Sequence, residues 1–279
     1  MRAPLPGCNM LFSSRTAARV LLRSDEKVVL FEPQSRRILG EVFANRVKYV
    51  CWNADGSMVA LLSKNSVTIC TRNLEMLCTT TESVRVKSGV WDAEGVFLYT
   101  THTHLKYMLP IKSGDVGIVR TLSNVVYAVE ANGDTLHCID RKAKSVSISI
   151  DRTEYLFKLA LSKRKWDVVM RTVRSGRLCG QAVIGYLKQA GFPEVALHFV
   201  KDEATRFSLA LEYGNLEVAL TAAKAVNDKE TWQRLAQAAL RQGNHQVVEM
   251  AYQQTEDFER LSFLYLITGN VEKLRLMLK

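Results

Sequence analysis

VKYVCWNADG at 47–56 returns as VKSGVWDAEG at 86–95, 39 positions later, with the Val-Lys pair, the Trp and the turn Gly in register. The same offset lays VLLRSDEKVVLFE (20–32) over VALLSKNSVTICT (59–71) and, more loosely, over FLYTTHTHLKYML (97–109) and LHCIDRKAKSVSI (136–148). Four units share one period. Each is a set of short apolar runs broken by turn dipeptides such as Asp55-Gly56, Glu94-Gly95 and Asn132-Gly133, the pattern of strands joined by tight turns. Ile69, Val125, Val126, Ile139, Ile148 and Ile150 add a β-branched bias. A repeat of about 40 residues with several strands per copy marks propeller blades, small twisted sheets that bury their faces on their neighbours. Closed propellers use roughly four to eight blades, and the first unit lacks leading strands in this reading. The spacing therefore predicts an incomplete, WD-repeat-like β-propeller over 18–150, with residues 1–17 unassigned.

Between Ile150 and Tyr155 the period changes. From Tyr155 onward apolar residues fall at helical spacing, alanine is abundant and Pro193 is the single proline. Gly214-Asn215, Gly243-Asn244 and Gly269-Asn270 each sit between two helical stretches. A glycine in left-handed geometry ends one helix, and an asparagine caps the free amides of the next. Counting back from the glycines places Leu211 and Ala210, Leu240 and Ala239, Leu266 and Tyr265 on one buried face. Counting forward from the asparagines places Val218, Ala219, Ala222 and Ala223, then Val247, Val248, Ala251 and Tyr252. In the third copy Lys273 precedes Leu274, Met277 and Leu278. Small alanines allow close helix approach, and successive pairs bury what one pair would expose. The expectation for 151–279 is an α-solenoid of antiparallel helix pairs, stopping at Lys279 without a polar capping helix.

Composition bounds the function. With 279 residues, 47% apolar and 24% charged, the chain has room for two cores and is neither low-complexity nor disulfide-stapled. No apolar run approaches the roughly 18 residues of a spanning helix, and MRAPLPGCNM is not a secretory leader. The six cysteines include no Cys-x-x-Cys pair, and no Asn-x-Ser/Thr acceptor occurs, so the reading is a soluble protein of a reducing compartment.

Candidate chemistry is sparse. His102 and His104, two apart on an expected strand, would share a face as metal ligands do, but no third ligand has fitting spacing. Cys51 and Cys70 could meet within a blade; buried free thiols act as small hydrophobes without further function. Gly114-Asp115-Val116-Gly117 lacks the context of a phosphate loop and reads as a turn. Trp52 and Trp91 hold equivalent places before their turns and read as repeated packing residues rather than binding aromatics. No nucleophile elbow or His-Glu-x-x-His helix appears. The expectation is no catalysis, no cofactor and no metal.

The net charge of +10 is concentrated in 141–177, where eleven Lys and Arg stand against three acids. One reading is a solvated face. The other is attraction to anionic lipid or an acidic partner, with Lys158, Lys163, Arg164, Lys165, Arg171 and Arg174 as the contacts. No nucleic-acid-binding motif accompanies the charge.

PEVALHFVKDEATRFSLALEYGN (193–215), LRQGNHQVVEMAYQ (240–253) and LSFLYLITGNVEKL (261–274) resemble the coatomer alpha-subunit family, as do RVKSGVWDAEGVFLYTTHTHLKY (85–107) and TEYLFKLAL (153–161) in the same order. The resemblance runs from about Leu21 to Lys279, and the architecturally similar beta-prime subunit is its nearest confusable relative. It implies the end of a second propeller (the coatomer WD-associated region, 18–150) and the start of the solenoid (151–279). It also implies a structural, non-enzymatic role in the COPI coat, in Golgi-to-ER and intra-Golgi transport. The implied partners are other coatomer subunits, beta-prime among them, and epsilon through a C-terminal part missing here. The coat would be recruited by a small GTPase, cytoplasmic and peripheral on Golgi membranes and vesicles. No cargo-binding residue carries over, because the first propeller is absent, and Met1 is open to being a mis-called start or the edge of a partial sequence. The competing classes are an enzyme with a site in the propeller channel and an adaptor outside this traffic, such as a ciliary transport scaffold.

Overall fold

The computed structural model describes residues 5–13, 19–175, 181–200 and 202–277, with the side chains of 181, 182 and 193 left aside. The chain divides into two compact units, Met1–Thr172 and Val173–Lys279.

The first unit carries four antiparallel sheets in chain order. The first is β1 (Met10–Ser13), β2 (Val20–Arg23), β3 (Lys27–Glu32) and β4 (Arg37–Phe43); the second is β5 (Tyr49–Trp52), β6 (Met58–Leu62), β7 (Ser66–Thr71) and β8 (Met76–Thr81). The third is β9 (Ser88–Trp91), β10 (Phe97–Thr100), β11 (His104–Met108) and β12 (Val116–Thr121). The last, with three strands, is β13 (Val126–Asn132), β14 (Thr135–Asp140) and β15 (Ser145–Ser149). The aligned repeat segments are the two middle strands of the first three sheets and β14–β15 of the last. One expectation fails: the first blade does have a leading strand, because β1 pairs with β2, Leu11 opposite Leu22. Its sequence, MLFS, carries none of the Val-Lys or Trp-turn-Gly markers that identified β5 and β9.

The core is laminated between blades, and the two-residue period of a strand does the sorting. Along β6 and β7, Val59, Leu61 and Cys70 join the cluster shared with the first sheet, while Ala60, Leu62, Val67 and Ile69 join the cluster shared with the third. Along β10 and β11, Phe97, Tyr99 and Met108 face back, and Leu98, Leu105 and Tyr107 face forward onto the last sheet. Trp91 is a staple between blades: its indole N–H donates to the Cys51 carbonyl of the preceding sheet at 2.8 Å. Its repeat partner Trp52 has no acceptor for its buried indole N–H. Both tryptophans therefore sit in packing positions.

Strands end at Ser149 and the first helix, α1 (Thr153–Ser162), follows at once; α2 (Trp166–Arg174) comes next. Tyr155 and Leu159 of α1 are buried in the same cluster as Leu98, Leu136 and Ile148, so this helix completes the propeller core.

In the second unit α3 (Gln181–Gln189) and α4 (Pro193–Leu197) lead to three helix pairs: α5 (Glu203–Glu212) with α6 (Leu216–Val226), α7 (Lys229–Gln242) with α8 (His245–Thr255), and α9 (Phe258–Ile267) with α10 (Val271–Met277). All three glycine hinges are left-handed, with φ of 75° at Gly214, 73° at Gly243 and 69° at Gly269. The amides of Asn215, Asn244 and Asn270 return to the carbonyls of Ala210, Ala239 and Tyr265, each at 2.9 Å. The asparagine side chains accept from Val218, Val247 and Lys273 amides. Ala210, Ala239 and Tyr265 are buried as expected, whereas Leu240 and Leu266 are exposed. The buried stripe passes four positions before each glycine; three before it, Leu211 still packs half-buried against the core, while Leu240 and Leu266 have rotated outward. In the third copy Leu274 and Met277 pack at the edge of the core; Leu278 lies outside the described residues.

Candidate functional site

The joint between strands and helices is the most elaborated polar feature of the first unit. Asp92, fully buried at the end of β9, accepts from the Tyr155 hydroxyl at 2.9 Å and pairs with Arg152 at 3.2 Å. Arg152 also donates its Nε to the Tyr155 hydroxyl at 3.1 Å and reaches Asp134 at 3.9 Å. Burial and the Asp92 carboxylate both push the tyrosine pKa up, so it stays a neutral donor. Burial opposes the Arg152 charge, but Asp92 and Tyr155 outweigh it and raise its pKa. Beside this triad the Tyr107 hydroxyl donates to Glu154 at 2.8 Å, and Lys158 reaches both Tyr107 and Glu154 at 2.8 Å. The rings of Tyr107 and Tyr155 lie 5.5 Å apart, tilted. Two ionic groups and two aromatic rings therefore lock α1 to the third and fourth sheets.

This joint removes Lys158 from the set of free surface cations, since its side chain is 16% exposed and spent on Glu154 and Tyr107. The basic segment also does not form one patch. Arg141, Lys142 and Lys144 sit in the β14–β15 turn and Arg152 at the far end of β15. At about 3.3 Å per residue that strand separates them by roughly 15 to 20 Å. Lys163, Arg164 and Lys165 form the exposed α1–α2 turn, Arg164 with φ of 53°, and Arg171 and Arg174 are exposed on α2. Arg177, the last cation of the segment, lies outside the described residues.

The other candidates stand apart. His102 is in the β10–β11 turn and His104 begins β11, where its ring bonds Thr103 at 2.7 Å. They do not lie on one strand, and the described residues contain no group of three metal-ligating side chains. Cys51 packs with the cluster on one face of its sheet and Cys70 with the cluster on the other, so they do not meet. Burial pushes Cys51 to about 11 and Cys70 to about 12. Cys179 lies outside the described residues. Gly114 makes a turn before β12 with no helix following. A cleft of about 980 Å³ opens between the last two sheets, lined by His102, Arg120, Asn124, Asp140 and the 141–144 cations. It was invisible in sequence, because its walls come from four separate turns and strands.

Two family models match: the COPA/B second beta-propeller over residues 3–140, which includes β1, and the COPA/B TPR domain over residues 179–279. The chain is 52% identical over 276 residues, 99% of its length, to coatomer subunit alpha-2 of Arabidopsis thaliana. This chain belongs to the coatomer alpha-subunit family. Coatomer subunit alpha of Dictyostelium discoideum is 44% identical over 96% of the chain, and that of Saccharomyces cerevisiae 44% over 92%. The chain spans about a fifth of the length of these curated coatomer alpha relatives, 22% of the Arabidopsis protein and 21% of the yeast one. No described helix is long and apolar enough to cross a membrane.

Proposed function

We propose that this chain is a structural segment of the COPI coat, acting in Golgi-to-ER and intra-Golgi transport, and that it performs no catalysis. The observation that carries the reading is the joint of Arg152, Tyr155 and Asp92: a buried ionic lock where blades meet helices suits a strut that transmits geometry. In this reading the propeller body runs from β1 to β15 with α1 packed into its core, and the solenoid is formed by the helices that follow. Its partners are other coatomer subunits, beta-prime and epsilon among them. The assembled coat is recruited by a small GTPase and works in the cytoplasm, peripheral on Golgi membrane and vesicles. Lys163, Arg164, Lys165, Arg171 and Arg174 then serve as an exposed cationic contact to an acidic coat neighbour.

Co-purification of a tagged chain from cells tests this. Enrichment of other coatomer subunits is expected; their absence, or substrate turnover by the isolated chain, overturns it. Reversal of Lys163, Arg164 and Lys165 to Glu is expected to weaken that recovery while leaving helicity and melting unchanged.

A further inference from the structure

In each antiparallel sheet the turns alternate between the two ends, so every second connection of the first unit falls at one end. Backbone and side-chain hydrogen bonds link neighbouring connections there. Arg46 N–H bonds the Asp25 carbonyl at 2.8 Å, Ser63 Oγ the Asn45 carbonyl at 2.6 Å, Val86 N–H the Lys64 carbonyl at 2.9 Å, and Leu122 N–H the Thr103 carbonyl at 2.7 Å. Across this end, from 24–26 to 141–144, the connections hold eight Lys and Arg against three acids. At the opposite end, from 33–36 to 150–152, they hold four Lys and Arg against seven acids, and there Arg152 joins Asp92 and Asp134. The first unit is thus polarised, and α1 is locked to its acidic end.

The cations of the basic end are not neutralised locally. Among the described residues, Arg46, Lys48, Lys64, Arg85 and Lys87 make none of the ion pairs. Two of the three acids at this end are already engaged: Glu82 takes Lys106 at 2.7 Å and the Tyr99 hydroxyl at 2.6 Å, and Asp25 takes Arg23 and Asn9. Partial burial and the crowding of Arg85, Lys64, Lys87 and Arg23 lower the pKa of Lys48. Phe43, 75% exposed, and Tyr49, 55% exposed, flank the 44–48 connection.

We propose that this end of the propeller is a docking surface for an anionic lipid bilayer, with Arg46, Lys48, Lys64 and Arg85 as the principal contacts and Phe43 and Tyr49 at the headgroup level. A bilayer fits better than an acidic peptide because Arg46, Lys48, Lys64 and Arg85 stand outside the cleft lined by the 141–144 cations, spread over three separate connections, and because exposed aromatic rings beside cations suit a membrane interface. The inference rests on the coat reading for its biological setting and names a surface distinct from the α1–α2 turn.

The test uses the full chain and flotation with vesicles of phosphatidylcholine alone or mixed equally with phosphatidylserine. Binding to the mixed vesicles only is expected, falling as salt rises above 0.1 M. The K48E/K64E/R85E variant should bind about 100-fold more weakly, since each basic residue near such a surface is worth about fivefold. Glu at position 48 relieves like-charge crowding, so this variant should fold, as unchanged circular dichroism will show. Wild-type chain that ignores the mixed vesicles, or variant binding undiminished, overturns the proposal. So does tighter binding of soluble polyglutamate than of vesicles, which assigns the surface to an acidic protein. Co-purification of coatomer subunits with the same variant separates the two readings. Retained subunits with undiminished vesicle binding defeat only the lipid surface, and lost subunits from wild-type chain defeat the coat reading.

Discussion

Tyr155 on the first helix donates its hydroxyl proton to Asp92 at the end of β9, 63 residues earlier, at 2.9 Å and out of contact with solvent. Asp92 also holds Arg152, so one carboxylate satisfies two of the groups that anchor α1. Truncating it leaves the phenol without an acceptor and the largely buried guanidinium with only the Tyr155 hydroxyl and, at 3.9 Å, the exposed Asp134. Asp92→Ala should therefore cost about 2–4 kcal/mol, while Tyr155→Phe, which leaves the ion pair in place, should cost about 1 kcal/mol. Urea unfolding followed by hydrogen exchange in β9–β11 and α1 checks the order; equal costs would show that the ion pair adds nothing.

Gly89 on β9 has no room for a side chain, because a Cβ there would run into the Phe97 ring on β10. That ring is fully buried between blades and tilted against Trp91, with centroids 5.1 Å apart. Gly89→Ala should destabilise the first unit by about 1–3 kcal/mol through overpacking. Gly89→Ala combined with Phe97→Leu should recover part of that loss in thermal melts.

Gly243 ends α7 at φ of 73° with open space where a Cβ would go. Only backbone conformation opposes a side chain there, so Gly243→Ala should cost about 1 kcal/mol, and Gly243→Asn less, since asparagine tolerates left-handed geometry. Melting temperatures that fall equally for both variants would point to a cause other than φ.

Glu249 on α8 accepts from Lys273 at 2.6 Å and from the Tyr265 hydroxyl at 2.8 Å, tying α9 and α10 to the preceding pair. The Lys273 and Tyr265 hydrogen bonds outweigh partial burial and hold this carboxyl below its ordinary value of 4.5. A depressed carboxyl pKa stabilises the fold above the unfolded value and loses that contribution as pH falls through the folded one. At pH 7, Glu249→Gln should speed amide exchange in α10. As pH falls through the folded value, which lies below 4.5, the wild type should approach the variant, because its own carboxylate is then being protonated.

The thiols of Cys51, Cys78 and Cys138 are pushed by burial to about 11, and that of Cys70 to about 12. The thiolate is the reactive form, so alkylation of these four at pH 7 should be slow in the folded chain and become rapid in denaturant. Mass-spectrometric labelling of individual cysteines reads this directly, and fast native labelling at Cys70 would contradict its place in the core.

The sequence by itself determined the elements and their repeat. VKYVCWNADG and VKSGVWDAEG fix blade spacing because a strand must place Trp and turn Gly at constant offsets, and Gly-Asn fixes the hinges because only a left-handed residue followed by a cap joins helices so tightly. It also carried the family, through long contiguous blocks. Tertiary structure decided what each charge does. Eleven cations between 141 and 177 look like one patch in sequence, yet a single strand sends Arg141, Lys142 and Lys144 to one end of the unit and Arg152 to the other. Lys158, equally basic, is consumed by Glu154 and Tyr107. Leu240 and Leu266 satisfy helical spacing yet face outward, because a few tens of degrees of rotation settle which neighbour of a buried alanine or tyrosine is covered. Periodicity is local and written in the chain, whereas charge pairing and the last step of burial depend on neighbours brought together from 40 to 60 residues away, as with Trp91 and Cys51, or Tyr155 and Asp92.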